Sequence, residues 1–388
     1  MTAPAPWEFA TAGRIVFGRG TASQAPAIVA GLGTRVLVVS GARPDRADWL
    51  VRALAALGAS PTLLASDGEP EVGFAASGAA FAVRQGIQVV AALGGGSALD
   101  AGKSIAALAT NPGDVFDYLE VVGRGRPLTA PPLPVVAIPT TAGTGSEVTR
   151  NAVLSVPDRR VKVSLRSPLM LPRVAIVDPE LTHSMTPEIT AFTGLDALAQ
   201  NIEPFLSRRA NPLTDALCGE GIRRAARSLR VAVLNGQDAE AREDMAVVSL
   251  CGGLALANAG LGAVHGLAGV IGGMFAAPHG ALCGALLPAV FAANLEALLA
   301  REPGNPARAR ADHVGRWLTA SPSANAVAGV EWLAAVVKEL RLPRLSSWGV
   351  AGPDIPSIVE QASRASSMKG NPIALTPEEL GAVVAQAL

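Results

Sequence analysis

Up to about residue 180, short apolar runs rich in β-branched residues alternate with segments of helical character. The candidate strands are residues 34–40, 60–66, 87–93, 133–139 and 174–178. This alternation is typical of a parallel sheet whose strands are joined by crossover helices. Residues 44–58 and 72–86 are predicted to be two of those helices.

The pattern changes after Asp178, where Ala/Leu-rich segments with helical spacing continue almost to the C-terminus. The candidate helices are residues 186–207, 245–300, 322–341 and 376–388. A chain of 388 residues exceeds what one hydrophobic core usually supports. We therefore predict an α/β, Rossmann-like domain with a parallel sheet over residues 1–180, followed by an all-α domain over residues 181–388.

The segment Met245–Leu295 contains no Asp, Glu, Lys or Arg and is apolar enough to suggest a membrane span. It also carries many glycines, Pro278, His265 and His279, and hydrocarbon disfavours the two histidines. Helices that are apolar on all sides also occur inside large proteins. A buried helical core around a polar site therefore fits the segment better than a span, and no membrane partner is expected.

Charge and cysteine content narrow the classes of partner. Lys plus Arg and Asp plus Glu number 32 each, so the formal net charge is zero and no nucleic-acid partner is expected. Cys218, Cys251 and Cys283 are widely spaced among apolar residues, which favours buried free thiols over a disulfide framework or a thiolate metal site. The N-terminal sequence lacks signal-peptide features, which favours a cytoplasmic location.

Two glycine-rich turns follow candidate strands. Residues 93–106, LGGGSALDAGKSIA, open a helix whose first free N–H groups and dipole favour an anion such as a pyrophosphate. Residues 138–149, IPTTAGTGSEVT, place five hydroxyl side chains and two glycines in one short loop. Such turns at the same ends of neighbouring parallel strands are typical of a nucleotide site. A plain strand-to-helix turn is the alternative for either one alone.

Together, these motifs resemble those of the iron-containing (group III) alcohol dehydrogenases, within the dehydroquinate-synthase-like superfamily. GGGSALDAGK resembles the family's GGGSxxDxxK, and PTTAGTGSEVT is similar to its PTTxGTGSE block. VDPEL, TGLDAL, GAVHGLAG and PHG occur in the family's order, so the likeness covers nearly the whole chain. The resemblance implies an N-terminal dinucleotide-binding domain, a helical C-terminal domain and a bound divalent metal.

By position, the resemblance implies contacts to the pyrophosphate, to the adenine and ribose side, and to the nicotinamide half of NAD(P). Gly95, Gly96 and Ser97 are implied for the pyrophosphate. Thr140, Thr141 and Thr144 are implied for the adenine and ribose side, and Asn151 and Lys162 for the nicotinamide half. Asp100 belongs to the first turn, where it either contributes to the cofactor site or, with Lys103, braces the turn.

The resemblance also implies a metal set of one Asp, a His four residues later, and two further histidines. Asp196, His265 and His279 occupy three of these positions, and Gln200 occupies the fourth. On a helix the four-residue spacing places Asp196 and Gln200 on one face. Two imidazoles and one carboxylate are sufficient to hold Fe²⁺ or Zn²⁺ with open positions, and we expect weaker metal retention than is usual in the family. The alternative is a site without metal, whose two histidines are structural.

Two further departures from the family pattern concern the reaction. Where the family commonly has a second His as a proposed proton relay, this chain has Gly269, so the proton must pass through water or a cofactor hydroxyl and the pocket is larger. Gly41 stands where NAD-selective members often have Asp, and Arg43 is able to meet a 2′-phosphate. NADP(H) is therefore permitted and slightly favoured. The alternative is that Arg43 is an ordinary surface charge without a role in cofactor binding.

The favoured function is an NAD(P)-dependent, metal-assisted alcohol dehydrogenase, or aldehyde or ketone reductase, with Asp196, His265 and His279 as the catalytic residues. One alternative is a metal-independent carbonyl reductase similar to maleylacetate reductase. The others are a cyclase or lyase of the dehydroquinate-synthase type and a dinucleotide-binding module without activity. The resemblance also implies a homodimer.

Overall fold

The computed structural model describes residues 6–388, which form two compact units. An α/β unit spans Thr11–Met185, and a helical unit contains Thr186–Leu388 with the described residues before Thr11. Residues 6–10 were predicted to lie in the α/β domain, but they belong to the helical unit. The backbone explains this, because Ala10 N–H donates to Asn258 Oδ1 at 2.7 Å and Asn258 Nδ2 donates back to Ala10 O at 3.0 Å.

Strands and helices alternate in the α/β unit, which confirms the predicted fold class. The strands are β1 Ile15–Phe17, β2 Arg35–Ser40, β3 Ser60–Ala65, β4 Val89–Gly94, β5 Val135–Pro139, β6 Asn151–Val156, β7 Val161–Arg166 and β8 Val174–Val177. The helices are α1 Ala25–Ala30, α2 Asp48–Ala56, α3 Val72–Arg84 and α4 Gly96–Thr110. The helix predicted from residue 44 begins with a 3-10 turn, Pro44–Ala47, before α2.

Six of these strands pair in parallel in the order β1-β8-β5-β4-β2-β3. From β2 the chain first continues to β3 on one side and then returns to β4 on the other. In open α/β sheets ligands bind beyond the carboxyl ends of the strands at such a switch point. Gly41 and Gly95, which follow β2 and β4, lie at this position.

Both faces of the sheet are covered, which explains why its central strands are apolar without alternation. Val36 and Val38 of β2 pack in the cluster that includes residues of α1 and α2. Leu37 and Val39, which point to the opposite face, pack with Ile105 of α4.

An antiparallel hairpin, β6 with β7, was not predicted from the sequence. Ala152, Leu154 and Val156 alternate with less buried residues along β6 and pack against a cluster that includes Ala75 of α3 and Ala107 of α4. The two strands are short and joined by the charged turn PDRR. The hairpin follows the second glycine-rich loop, so its packing on α4 fixes where that loop ends.

The helical unit contains all remaining α-helices of the described chain. They are α5 Pro187–Leu206, α6 Pro212–Leu234, α7 Ala239–Ala259, α8 Ala263–Met274, α9 His279–Arg301, α10 Ala307–Thr319, α11 Ala326–Glu339, α12 Ile355–Ser363 and α13 Pro377–Ala387. The long helix α5 is buried along most of its length and packs against α6, α7 and α9. Its N-terminus is capped by Thr186, whose hydroxyl accepts Ile189 N–H at 3.2 Å.

The apolar segment Met245–Leu295 falls in α7, α8 and α9. Among the described residues, α9 is long and apolar enough to cross a membrane, and 61% of its most apolar window is buried within the protein. Joined end to end, α7 and α8 are also long and apolar enough to cross a membrane, but the chain bends by 98° between them. These three helices form the buried core around a polar site that the sequence favours, since His265 lies on α8 and His279 on α9.

Candidate functional site

A cluster of ligand-type side chains lies inside the helical unit. Asp196 of α5, His265 of α8, His279 of α9 and Cys283 of α9 each offer a donor atom, and all four atoms lie within 4.8 Å of one another. The structure thus brings together three of the four metal-site residues predicted from the sequence. Cys283, which was assigned only as a buried thiol, joins them.

The imidazoles converge on one carboxylate oxygen. His265 Nε2 lies 3.1 Å from Asp196 Oδ1, and His279 Nε2 lies 3.9 Å from the same atom. Asp196 is 2% exposed and His265 is 8% exposed, whereas the His279 side chain is 35% exposed. Solvent therefore reaches the cluster at His279.

Gln200, the fourth predicted ligand, lies one turn after Asp196 on α5 and is 3% exposed. Its side chain is close enough to Asp196 to help lower the pKa of that carboxyl. Its Oε1 atom is buried without a hydrogen-bond partner among the described residues. A buried acceptor without a partner is costly, so this atom points to a donor or a cation beside Asp196.

Glu203, which the sequence analysis did not single out, orients the cluster. Its Oε2 lies 2.5 Å from His265 Nδ1, and its Oε1 accepts Val264 N–H at 2.7 Å in the first turn of α8. A carboxylate on Nδ1 holds a proton there, so a cation that replaces the proton on Nε2 would meet the Nε2 lone pair on the side of Asp196, as in many metal sites. Its position seven residues after Asp196, on the same helical face, is a signal that the sequence contained.

A close helix approach places His279. A Cβ atom built on Gly280 would lie 2.5 Å from Phe192 O, so α9 begins directly against the backbone of α5. Only glycine allows this approach. The PHG motif therefore sets the position of the imidazole relative to Asp196.

The electrostatics of the cluster favour positive charge. Burial alone lowers the pKa of His265, but Cys283, Glu203 and Asp196 together hold it well above its usual value. The same competition between burial and the neighbouring Cys283 and Asp196 raises the pKa of His279 to about 9. Burial raises the pKa of Asp196, and the two imidazoles and Gln200 outweigh it and lower that pKa. The cluster therefore attracts either protons or a cation that takes their place.

The predicted dinucleotide residues lie in the α/β unit, at the switch point of its sheet. Gly95, Gly96 and Ser97 form the start of α4 and are partly exposed. The second loop crosses beside them, because Thr140 N–H donates to Gly94 O at 2.9 Å. A Cβ atom on Gly96 would lie 2.6 Å from Thr144 Cγ2, so glycine is required where the two turns meet.

The hydroxyl-rich loop leaves three threonine side chains accessible to a ligand. Thr140, Thr141 and Thr144 are all partly exposed. The free N–H groups of α4 and these hydroxyls form one polar surface beyond β4 and β5, suited to a pyrophosphate and its adjoining sugar.

Asp100 and Lys103 brace this arrangement. Lys103 is 1% exposed and donates to Ser146 O at 3.0 Å, to Thr149 Oγ1 at 3.1 Å and to Asn151 O. Asp100 accepts Ser146 Oγ at 2.5 Å and Val153 N–H at 2.9 Å. Of the two roles expected for Asp100, the structure favours the bracing one.

The residues implied for the nicotinamide half already make contacts within the protein. Asn151 begins β6, and its carbonyl is the acceptor for Lys103. Lys162 forms an ion pair with Glu69 Oε2 at 2.6 Å. Asn151 pairs in register with Arg166 and Lys162 with Ser155, so the two residues lie at different levels of the hairpin.

Gly41 and Arg43 bear on cofactor choice. A Cβ atom on Gly41 would meet nothing within 4 Å, so the structure leaves space for a larger group there. Arg43 forms a bidentate pair with Asp45, at 3.0 and 2.9 Å, and both side chains are exposed. The guanidinium is therefore partly neutralised, which weakens the sequence-based preference for a 2′-phosphate.

Comparison with known proteins agrees with both halves of this description. Residues 12–179 match the family model for iron-containing alcohol dehydrogenases, and residues 190–388 match the C-terminal model of the same family. Alcohol dehydrogenase 4 of Schizosaccharomyces pombe is 36% identical over 322 residues, which cover 82% of this chain and 73% of that protein.

Solved structures show the same likeness over the full chain. An archaeal halo-thermophilic alcohol dehydrogenase from a Red Sea brine pool superposes with a TM-score of 0.92 at 27% identity and full coverage of both chains. A sulfoacetaldehyde reductase from Bifidobacterium kashiwanohense, solved with NAD⁺, superposes with a TM-score of 0.85 at 27% identity, covering 99% of each chain. The chain belongs to the iron-containing alcohol dehydrogenase family and is an oxidoreductase that acts on CH–OH groups.

Proposed function

We propose that this protein is a metal-assisted, NAD(P)-dependent alcohol dehydrogenase that interconverts a small alcohol and its aldehyde or ketone. The convergence of Asp196, His265 and His279 around one point carries the proposal, because their donor atoms lie within 4.8 Å of one another. Gln200 adds an oxygen without a partner beside them. The relative solved with NAD⁺ supports the choice of cofactor class.

The donor set suits a divalent transition metal such as Fe²⁺ or Zn²⁺. Asp196, His265 and His279 are the proposed ligands, with Gln200 Oε1 as a further neutral donor. When bound, the metal supplies Lewis-acid polarisation of the C–O group, and the nicotinamide ring accepts or delivers hydride. Glu203 keeps the Nε2 lone pair of His265 directed at the centre, because it accepts the proton on Nδ1.

The α/β unit is proposed to hold the dinucleotide. Gly95, Gly96 and Ser97 offer free N–H groups to the pyrophosphate, and Thr140, Thr141 and Thr144 offer hydroxyls to the adenine and ribose side. Asn151 and Lys162 are proposed for the nicotinamide half, and Lys162 must then share its ammonium group with Glu69. Asp100 and Lys103 keep the two turns in place.

The proton of the reaction has no imidazole relay at residue 269. A Cβ atom on Gly269 would meet nothing within 4 Å, so the space is open. We propose that water in this space, or a hydroxyl of the cofactor, carries the proton. The same space favours a substrate larger or more polar than ethanol.

Metal analysis and turnover together test this function. Protein purified without chelator is assayed for metal, and for NADH and NADPH oxidation over a panel of aldehydes, before and after metal removal and after addition of Fe²⁺ or Zn²⁺. We expect chelation to abolish turnover and metal to restore it. Turnover that survives complete metal removal would favour the metal-independent reductase, and no turnover under any condition would favour an inactive binding module. A homodimer and a cytoplasmic location stay predictions.

A further inference from the structure

Cys283 lies in the cluster although its sequence context marks it only as a buried thiol. It follows His279 by four residues on α9, one helical turn, and is 0% exposed. Its Sγ atom lies 3.5 Å from His279 Nε2. The thiol therefore faces the same point as the two imidazoles and the carboxylate.

The spacing of the donor atoms matches that of ligands around one ion. Two ligands of a tetrahedral Zn²⁺ with bonds of about 2.1–2.3 Å lie roughly 3.4–3.6 Å apart. The contacts here are 3.1 Å for His265 with Asp196, 3.5 Å for Cys283 with His279 and 3.9 Å for His279 with Asp196. Shifts of a few tenths of an ångström would bring these three contacts to the tetrahedral values, and the other contacts of the cluster, all within 4.8 Å, would shorten by at most about 1.4 Å.

An independent observation indicates that a group is needed at this place. Gln200 lies one helical turn after Asp196 on α5, is 3% exposed, and has a buried Oε1 atom without a partner among the described residues. A thiol–imidazole hydrogen bond between Cys283 and His279 leaves this oxygen unsatisfied. A cation beside Asp196 would bind both the Gln200 oxygen and the Cys283 sulfur.

Charge and softness distinguish a thiolate ligand from the amide at residue 200. Asp196 is the one anionic donor among the other proposed ligands, and the carboxylate of Glu203 acts only through His265, whereas a Cys283 thiolate places a second negative charge directly on the ion. A thiolate also favours Zn²⁺ over harder ions such as Mg²⁺ or Mn²⁺. An amide oxygen provides neither property.

We propose that Cys283 Sγ is a protein ligand of the divalent metal, which restores the fourth strong donor that is missing at Gln200. This inference rests on the proposed function. When the cation binds, the S–H bond breaks, a metal–sulfur bond forms and the proton passes to solvent. The strong ligands are then Asp196, His265, His279 and Cys283, with Gln200 Oε1 as a weaker neutral donor, and the centre prefers Zn²⁺.

Cobalt substitution tests the inference without relying on activity. The full-length protein is stripped of metal and titrated with Co²⁺, and the absorption spectrum and the metal content per chain are recorded. A bound thiolate gives an intense sulfur-to-cobalt charge-transfer band in the near ultraviolet. We expect this band at one Co²⁺ per chain, loss of the band in Cys283→Ser, and at least about tenfold weaker Zn²⁺ binding in that variant.

Matched variants make the result specific. Cys218→Ser and Cys251→Ser, which change the other two buried free thiols, should keep the band. If Cys283→Ser folds poorly, Cys283→Asp takes its place in the test. This variant keeps an anionic ligand and should bind Co²⁺ without the band. One Co²⁺ per chain without the band, or a band that survives in Cys283→Ser, overturns the role of Cys283 alone. The absence of any specific metal binding overturns the metal site of the proposed function instead.

Discussion

At the scale of single residues, Gln200 is the weakest of the proposed metal donors. An amide oxygen binds transition metals less strongly than an imidazole nitrogen does. Gln200→His should therefore raise Zn²⁺ affinity at least about tenfold, as changes even outside the ligand shell can do. Metal content after dialysis measures this, with Gln361→His on the exposed surface of α12 as the control. Equal occupancy in both variants would contradict a coordinating position for residue 200.

We predict that residue 41 influences the choice between NAD(H) and NADP(H). Because its Cβ position is open, an Asp side chain fits there without displacing other groups. Gly41→Asp should raise the ratio of kcat/KM for NADH to that for NADPH roughly tenfold or more, since a carboxylate binds the ribose 2′-OH and repels a 2′-phosphate. Steady-state kinetics with both cofactors measure the ratio.

Arg43→Ala is the partner experiment for cofactor choice. If Asp45 already neutralises Arg43, this variant should change the NADPH KM by less than about threefold, as is usual for exposed ion pairs. A large and selective loss of NADPH binding would instead assign Arg43 to the 2′-phosphate.

Glu147 makes stability depend on pH. It is 2% exposed, and burial raises its pKa from 4.5 to about 7, with Lys103 acting in the opposite direction. Between these two pH values the folded protein keeps a proton that the unfolded chain has lost, so stability falls as pH rises through this window. The loss is on the order of 3 kcal/mol and is complete above the folded pKa.

Glu147→Gln should remove this loss. Urea unfolding at about pH 5 and about pH 8 should show a smaller difference in the variant than in the wild type. Glu188→Gln, at the exposed start of α5, is the control for removal of one carboxylate. A wild-type difference that persists in Glu147→Gln would assign the pH dependence to other groups.

Some of the residues of the centre follow from sequence and others do not. Asp196, His265 and His279 were found because their motifs resemble a known family. Cys283 and Glu203 carry no motif of their own, and their roles depend on how α5, α8 and α9 pack. Helical spacing places Cys283 one turn after His279, but only packing shows that this face of α9 meets Asp196.

At the scale of elements, the contact of α9 with α5 is sensitive to a single methyl group. Gly280→Ala would place a Cβ atom 2.5 Å from Phe192 O, which is backbone and cannot move alone. We expect α9 to shift, with lower thermal stability and at least about tenfold weaker metal binding. Gly73→Ala, at the same second position of α3 but facing open space, is the matched control and should be neutral or slightly stabilising.

Buried strands were easier to predict than the hairpin. The central strands β2, β4 and β5 are covered on both faces, so their apolar runs are visible in the sequence. The hairpin is buried on one face only, which leaves three alternating apolar residues in β6. β1 has three residues and depends on pairing with β8, which is a tertiary contact.

At the scale of the whole molecule, the groups proposed for the metal and those proposed for the dinucleotide are contained in different units. Hydrogen exchange should therefore give two separable patterns of protection. Zn²⁺ should protect mainly α5, α8 and the start of α9, and NAD(P)⁺ should protect mainly the turns around Gly95 and Thr141. Equal protection of both regions by Zn²⁺ alone would contradict a centre built only from the helical unit.

The two carboxylate oxygens of Glu203 have different partners, which has a consequence for the protein after metal removal. Oε1 accepts Val264 N–H in the first turn of α8, away from the donor atoms, and only Oε2 contacts His265. Chelation should thus leave a rigid cavity in which the donor groups already face each other. Reloading then needs exchange of protons for a cation, with little rearrangement of the chain, so the conformational entropy cost of uptake is small.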